Sequence, residues 1–406
     1  MAFSAKWNNG IEVSYKDTEV VLDAVKASEL PVFISHAHGD HCQGFKSAEE
    51  TYSTRATFEL ARAMTRKGGR NHFVEYHRKV SFGDLDIEPH NAGHILGSAQ
   101  YEIISPLGNA VYTGDINFRD TLITKRAEVV PCDLLIIEST YGNPCYFPSR
   151  EYMYERIVEW TTYSTKTGKI PTLQTDALGN AQELIALLNR STKLPVITHP
   201  RVSNYSRVYE KFGHRLVYVD AASEEAQEIQ HGKECVLIVP KNARVTNQDQ
   251  LNVAFVSGWG SRFAGRRKAF SLSDHSDFYR LLNYVEKAKP KMVFTCHGDR
   301  QSKSTLSRRI WKTLRIPSTP LTREQRMMPS EPGVGAPRSL NECVKEIMVN
   351  VKPGFIYPRR WLISTARTGL RHFTQDEAEM GLFQSVKTGK LRYLPESDSY
   401  ELRSPS

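Results

Sequence analysis

Ser35-His36-Ala37-His38-Gly39-Asp40-His41 follows the β-like run Pro31-Val32-Phe33-Ile34 and precedes a stretch that reads as helix. Four side chains of metal-ligating type fall within six residues here, and a tight loop lets them surround two metal ions. His36 and His38 face one way, Asp40 and His41 the other. Neutral imidazole combined with carboxylate suits zinc, or manganese and iron at lower affinity. The bland alternative is a histidine-rich surface loop. Ordinary loops rarely carry these residue types at this spacing.

Around this loop the chain is a layered α/β unit. Thr18–Val25, Leu85–Gly93, Ser98–Ser105, Asn109–Asp115 and Asp133–Thr140 are short β runs broken by Gly, Pro, Asn and Asp. Thr54 to Lys67 reads as a helix with Thr54 as N-cap. From Ser149, a helix N-cap, the rhythm changes. Helices and strands then alternate: Ile170–Thr175, Leu178–Arg190, Pro195–His199, Arg201–Phe212, Glu234–Pro240. That describes a parallel-sheet unit closing near Gly260. A helix at about Tyr279–Lys289, the strand Lys291–His297 and a helix from about Ser302 return to the first unit. Pro317, Pro320, Pro329, Pro332 and Pro337, with Gly333 and Gly335, mark a linker over 317–339. No internal repeat is visible.

The chain has 406 residues, room for two or three domains at roughly 150 residues each. Hydrophobic residues make up 40% and charged residues 24%, which excludes collagen, low complexity and global disorder. Lys plus Arg number 54 against 45 Asp plus Glu, a formal charge of +9. The excess points to a polyanion, nucleic acid or an anionic membrane. No basic amphipathic helix and no apolar run long enough to span a bilayer stands out, so nucleic acid is the expected partner and a membrane is not. The six cysteines form no CxxC pair, and Met1–Gly10 has no apolar signal segment. A reducing, cytoplasmic setting is expected.

The HxHxDH stretch resembles the signature of the metallo-β-lactamase fold, and the likeness extends along the chain. Asp23 stands where that family has an aspartate orienting the loop from behind. His94 in Ala92-Gly93-His94-Ile95 matches the third-motif ligand, and Asp115 in Tyr112-Thr113-Gly114-Asp115 the bridging fourth. Glu138 in Ile136-Ile137-Glu138-Ser139-Thr140, the segment Leu178–Leu184, Ser257–Arg262, His275 in Ser273-Asp274-His275-Ser276 and His297 in Cys296-His297-Gly298 occur in the order of the β-CASP nucleases.

The resemblance covers about residues 18–315. It implies an α/β fold: an αββα metallo-β-lactamase sandwich carrying an inserted β-CASP parallel-sheet cap and a small C-terminal appendage. The implied layout is 1–148 and 261–316 for the metallo-β-lactamase domain, 149–260 for the cap, 317–339 for the linker and 340–406 for a C-terminal module. By the same resemblance one divalent metal uses His36, His38 and His94, and the other Asp40, His41 and His297. Asp115 bridges. Zinc is the expected metal and manganese the alternative. Two such ions about 3.5–4 Å apart activate water and neutralise a phosphate oxygen. His275 is the general-acid candidate, or a phosphate-oxygen donor, and Glu138 orients it and favours its charged form. Asp40 and Asp115 complete the catalytic set.

Other features read less sharply. Arg262, Arg266, Arg267 and Lys268, interleaved with Phe263 and Phe270, suit a phosphate track beside base stacking, or a solvated charged face. Arg201, Asn204, Tyr205 and Arg207 are weaker candidates of the same kind. His90, four residues before His94, is expected to be structural, and so are His72, His77, His199, His214, His231 and His372. Cys42 and Cys296 read as buried fillers.

His297 at the third β-CASP motif favours an RNA branch. The run from Ser257 to Gly298 also resembles ligase-associated DNA exonucleases, and no KH domain precedes the metal loop. A two-metal DNA exonuclease of repair or processing is the reading preferred, with an RNA-processing nuclease as alternative. A thioester or lactone hydrolase would need neither Glu138, His275 nor a cap, and a non-cutting binding protein would have lost ligands that are present here. Protein partners and a homodimer stay open.

Overall fold

The computed structural model describes residues 3–65, 70–245, 249–260, 268–322 and 326–327, with parts of 344–402. Two seven-stranded sheets form the body. The first runs Arg326–Met327, Ser4–Asn8, Gly10–Tyr15, Thr18–Leu22, Val32–Phe33, Thr51–Ser53, Asn71–Phe73. The second runs Ser318–Pro320, Met292–Cys296, Leu134–Glu138, Gly108–Tyr112, Ala99–Ser105, Leu85–Asn91, Val80–Phe82.

Strand Leu134–Glu138 explains the layering. All five of its residues are buried, so both of its faces are covered, which is why it reads as an unbroken apolar run. Leu134 and Ile136 meet Val13, Leu22, Phe33 and Tyr101 in the core between the sheets. Leu135 and Ile137 point the other way, onto Phe278, Leu281, Tyr284, Leu306 and Ile310 of helices Phe278–Ala288 and Arg300–Leu314. Helix Arg55–Thr65 lies outside the first sheet. Thr54 Oγ1 accepts from the Thr57 N–H at 3.2 Å, the expected N-cap. Helix, sheet, sheet, helix is the αββα sandwich.

The cap is a six-stranded, wholly parallel sheet in the order Val219–Asp220, Val196–Thr198, Val236–Pro240, Ile170–Thr175, Leu251–Val256, Lys268–Phe270. Helices Arg150–Lys166, Asn180–Ser191 and Pro200–Lys211 pack on it, the first capped by Ser149 accepting from the Tyr152 N–H at 3.2 Å. Helix Glu224–Gly232 was not legible because it buries only Ala226 and so carries little periodicity; Ser223 caps it. Cap and body share one apolar cluster in which Ile34, Leu60 and Ile95 meet Leu178, Leu184 and Tyr209.

Two expected boundaries move. Lys268–Phe270 pairs with Leu251–Val256, so the chain leaves the cap sheet after Phe270 rather than at residue 260. A three-residue strand beyond a basic stretch carries too short an apolar pattern to be seen. Ser318–Pro320 and Arg326–Met327 are edge strands of the body, so the segment expected to be linker from 317 still contributes to both sheets. Prolines sit readily at sheet edges. Beyond them, strands Ile356–Pro358, Ser399–Leu402 and Leu391–Leu394 form a three-stranded sheet, with a core of Ile347, Leu362, Leu382 and Tyr400. Among the described residues no helix is long and apolar enough to cross a membrane.

Candidate metal centre

The loop after Val32–Phe33 turns tightly because the N–H groups of His41 and Cys42 both donate to His38 O at 3.0 Å. Behind it, Asp23 is a buried hub. Its carboxylate accepts from Ser35 N–H (2.7 Å), Ser35 Oγ (2.6 Å), His41 Nδ1 (2.7 Å) and Tyr112 OH (2.7 Å). Both oxygens are thereby used, and Asp23 orients rather than ligates.

These bonds decide which ring nitrogens stay available. His41 donates through Nδ1, which leaves Nε2 toward Asp115. Ser35 Oγ gives its proton to Asp23 and so accepts from His36 Nδ1 at 2.9 Å, leaving His36 Nε2 buried without a partner. His94 Nδ1 donates to Asp274 O at 2.9 Å, and His94 Nε2 lies 2.9 Å from His38 Nδ1. Asp115 Oδ2 stands 3.5 Å from both His36 Nε2 and His41 Nε2 and 3.9 Å from His94 Nε2; its Oδ1 is a second buried atom without a partner. Electron pairs from three imidazoles and a carboxylate therefore converge on one point, and the donor atoms of His36, His38, His94 and Asp115 lie within 4.8 Å of one another. A divalent cation fits such a set. On the other side Asp40 Oδ2 is 3.7 Å from His41 Nε2, and the His297 ring lies 4.5 Å from that of His41. Tyr112 OH, having donated to Asp23, accepts from His297 Nε2 at 2.7 Å, which leaves Nδ1 as the free nitrogen of that ring.

The electrostatics agree. Burial drives His36 and His94 well below the usual imidazole range, helped by neighbouring histidines, so they are neutral, as ligands must be. Burial and His41 likewise push His297 to about 3. Burial resists charge on His41, but Asp115 and Asp23 outweigh it and raise it to about 10. Burial, against the pull of His41 and with help from Glu138, lifts Asp115 to about 6. The carboxylates of Asp115 and Asp23 thus draw positive charge onto His41, and a bound cation would take the place of its proton.

Beside the cluster, His275 Nδ1 lies 3.1 Å from both oxygens of the wholly buried Glu138. Glu138 is held in place by the Ile116 N–H at 2.8 Å. Burial disfavours an imidazolium at 275, but Glu138 and then Asp115 hold it well above its ordinary value. His275 Nε2 points to Asp115 Oδ2 at 3.9 Å. Both side chains border a cavity of about 340 Å³ between body and cap, together with Trp259 and Lys241. Trp259 lies on Tyr141 with ring centroids 4.6 Å apart. A second cavity of about 320 Å³, sharing His38, Asp176 and Lys241 with the first, carries Lys46, Arg201 and Tyr205.

The structure thus brings together Asp23, His36, His38, Asp40, His41, His94, Asp115, Glu138, His275 and His297. Arg201 and Tyr205 face the cleft, whereas Arg207 pairs with Asp220 elsewhere. Cys42 is half-buried and borders the second cavity, a correction to its reading as a buried filler; Cys296 is buried. Lys268 is exposed over the Phe270 ring; Arg262, Arg266 and Arg267 lie outside the described residues.

Sequence reasoning missed Tyr112, Ser35, Asp274, Lys46 and Lys241. Tyr112 and Ser35 adjoin recognised motifs, and their inward positions were the available signal. Asp274, lifted to about 7 by burial, neighbours His275. Nothing local marks Lys46 or Lys241.

A family model described as a Zn-dependent metallo-hydrolase RNA specificity domain matches residues 262–318. A "Probable DNA ligase" of Opitutus terrae is 30% identical over 278 residues, 66% of this chain and 26% of that protein. An "RNase J-like protein" of Methanocaldococcus jannaschii is 25% identical over 394 residues, 76% of this chain and 93% of the relative. These similarities support a metallo-β-lactamase-fold β-CASP nuclease family for the chain. The chain spans only about a quarter of the length of the Opitutus protein, 26%. A solved structure of a protein of unknown function from Enterococcus faecalis V583 shares the fold alone, with a TM-score of 0.56 at 13% identity, covering 81% of this chain and 100% of that one. The family is one of metal-dependent hydrolases, in keeping with the convergent histidines and aspartates.

Proposed function

We propose that the cleft hydrolyses phosphodiester bonds of nucleic acid, and that the substrate is DNA attacked from an end. The observation carrying the nuclease reading is the Glu138–His275 pair set beside Asp115, where the cap roofs the metal cluster. A thioester or lactone hydrolase needs neither that pair nor a roof.

His36, His38 and His94 would hold one divalent ion, and Asp40, His41 and His297 a second, with Asp115 between them; the nitrogen-rich set favours zinc. Such ions lower the pKa of water and neutralise charge on a phosphate oxygen. The protein's own groups do the rest. Asp23 keeps the His41 tautomer fixed. His275, charged because Glu138 faces its Nδ1, carries a proton on Nε2 toward the cleft and donates it to the departing oxygen. Trp259 on Tyr141 offers an aromatic face for a base, and Lys46, Arg201 and Lys241 line the path for flanking phosphates.

The Opitutus relative named as a DNA ligase supports DNA. RNA is the second reading, favoured by the RNA-specificity description of the matched family model and by the RNase J-like relative. Purified protein given end-labelled single- and double-stranded DNA and RNA, with zinc or manganese, separates them. A ladder from one end of DNA supports the proposal. A ladder on RNA alone moves it to the second reading, and interior cuts replace an exonuclease by an endonuclease.

A further inference from the structure

Away from the cleft, on the strands Leu85–Asn91 and Ala99–Ser105, stands a second histidine cluster. Glu88 and Glu102 are directly opposite in the antiparallel register. Both side chains are largely buried, at 17% and 16% exposure. Like charges facing across a strand pair destabilise it. Among the described residues neither forms an ion pair with lysine or arginine; their partners are His77 and His90. Glu88 Oε1 lies 3.9 Å from His77 Nδ1 and 3.8 Å from His90 Nε2, and Glu102 Oε2 lies 2.9 Å from His90 Nε2. The donor atoms of His77, Glu88 and His90 all lie within 4.8 Å of one another. Tetrahedral zinc with bonds of about 2.0–2.2 Å places its donors roughly 3.3–3.6 Å apart. The Glu88–His77 and Glu88–His90 separations, 3.9 and 3.8 Å, come within a few tenths of an ångström of that spacing.

The surroundings are those of a built site. Glu128 Oε2 sits 3.3 Å from His77 Nε2 and 4.0 Å from His90 Nδ1, a carboxylate behind both imidazoles, with His77 Nδ1 turned to Glu88. Asn109 Nδ2 donates to Glu102 Oε1 at 2.6 Å. A carboxylate behind one ligand histidine and an amide behind a ligand carboxylate are the usual outer supports of a metal centre.

We propose that His77, Glu88, His90 and Glu102 form a structural site for a borderline divalent cation, zinc first, separate from the cleft. Three donors already stand together and Glu102, 2.9 Å from His90 Nε2, is the nearest fourth; four protein donors would close the ion off from substrate, so the site supports rather than reacts. Its place explains its use. His90 is followed by the loop that carries His94, and Glu128 Oε1 accepts from the Asn91 N–H at the base of that loop at 3.1 Å. A cation here would staple the loop that presents a cleft ligand.

The test is zinc stoichiometry of the full chain by elemental analysis, and affinity by competition with a chromophoric chelator. His77→Asn tolerates the left-handed backbone at this position (φ 62). H77N and E88Q should each hold one zinc equivalent fewer than wild type. E128Q keeps every ligating atom and should weaken that one equivalent by about 10–100-fold, and it reads the site even if H77N folds poorly. Equal zinc content in wild type, H77N and E88Q, with E128Q unchanged in affinity, would mean that protons alone satisfy the cluster and would overturn the proposal. The comparison is between variants, so it stands or falls whether or not the cleft proves to be a nuclease.

Discussion

The protein carries two clusters of histidine and carboxylate on one body. The cleft cluster is buried apart from Asp40, keeps unpartnered atoms on His36 and Asp115, and opens toward the cap beside the Glu138–His275 pair. In the cluster around His90 only His77 is exposed, and each imidazole faces a carboxylate that is itself part of the cluster or behind it, with no cap over it among the described residues. Ligation alone does not make an active site. A proton donor held in its charged form and a roofed space for substrate distinguish the first cluster from the second.

Substitutions should separate the two sharply. The largest effect is expected for Asp115→Asn, which removes the carboxylate shared by both sides of the cleft. Its loss should exceed the about 10²–10³-fold typical of deleting one electrostatic donor, while nucleic-acid binding, followed by a gel-shift titration, is largely retained. Near-normal turnover would erase the distinction between the clusters. Next is His275→Ala, expected to cost about 10²–10⁴-fold in kcat with unchanged metal content; metal loss would make His275 a ligand instead. Glu138→Gln acts through His275. Glu138 keeps His275 protonated across neutral pH, and a general acid loses activity as pH rises through its pKa. Removing the carboxylate lowers that pKa, so the alkaline limb of the pH–rate profile should move to lower pH. Arg201→Ala should raise KM about tenfold with little change in kcat, as for one lost charged contact in the ground state. The smallest effect on turnover is expected for H77N, which should cleave at close to the wild-type rate under excess zinc.

The same contrast shows what a sequence can reveal. The cleft residues were legible because His36, His38, Asp40 and His41 crowd one loop, and because Asp115, Glu138, His275 and His297 follow in the motif order that the resemblance supplies. The layered α/β body followed from runs such as Leu134–Glu138, whose burial on both faces leaves no alternation to misread; the αββα arrangement came from the family resemblance. The second cluster was not visible as a group, and His77 and His90 were expected to be structural. Its four residues come from separate turns and strands, and only the register pairing Glu88 with Glu102 brings them together. Lys46 and Lys241 were hidden for the same reason: one follows the metal loop, the other ends a cap strand, and a cavity alone connects them. The cap boundary slipped by about ten residues because Lys268–Phe270 is too short to announce itself as a strand.

The central claim is that the cleft joins metal ligands, an acid pair and a roof for phosphodiester hydrolysis. Its most direct test is a time course of 5′- and 3′-labelled DNA and RNA with the wild-type chain and D115N under zinc or manganese. The account predicts progressive shortening of DNA from one end by wild type and none by D115N. No cleavage of any oligonucleotide, together with efficient hydrolysis of a thioester, would contradict it.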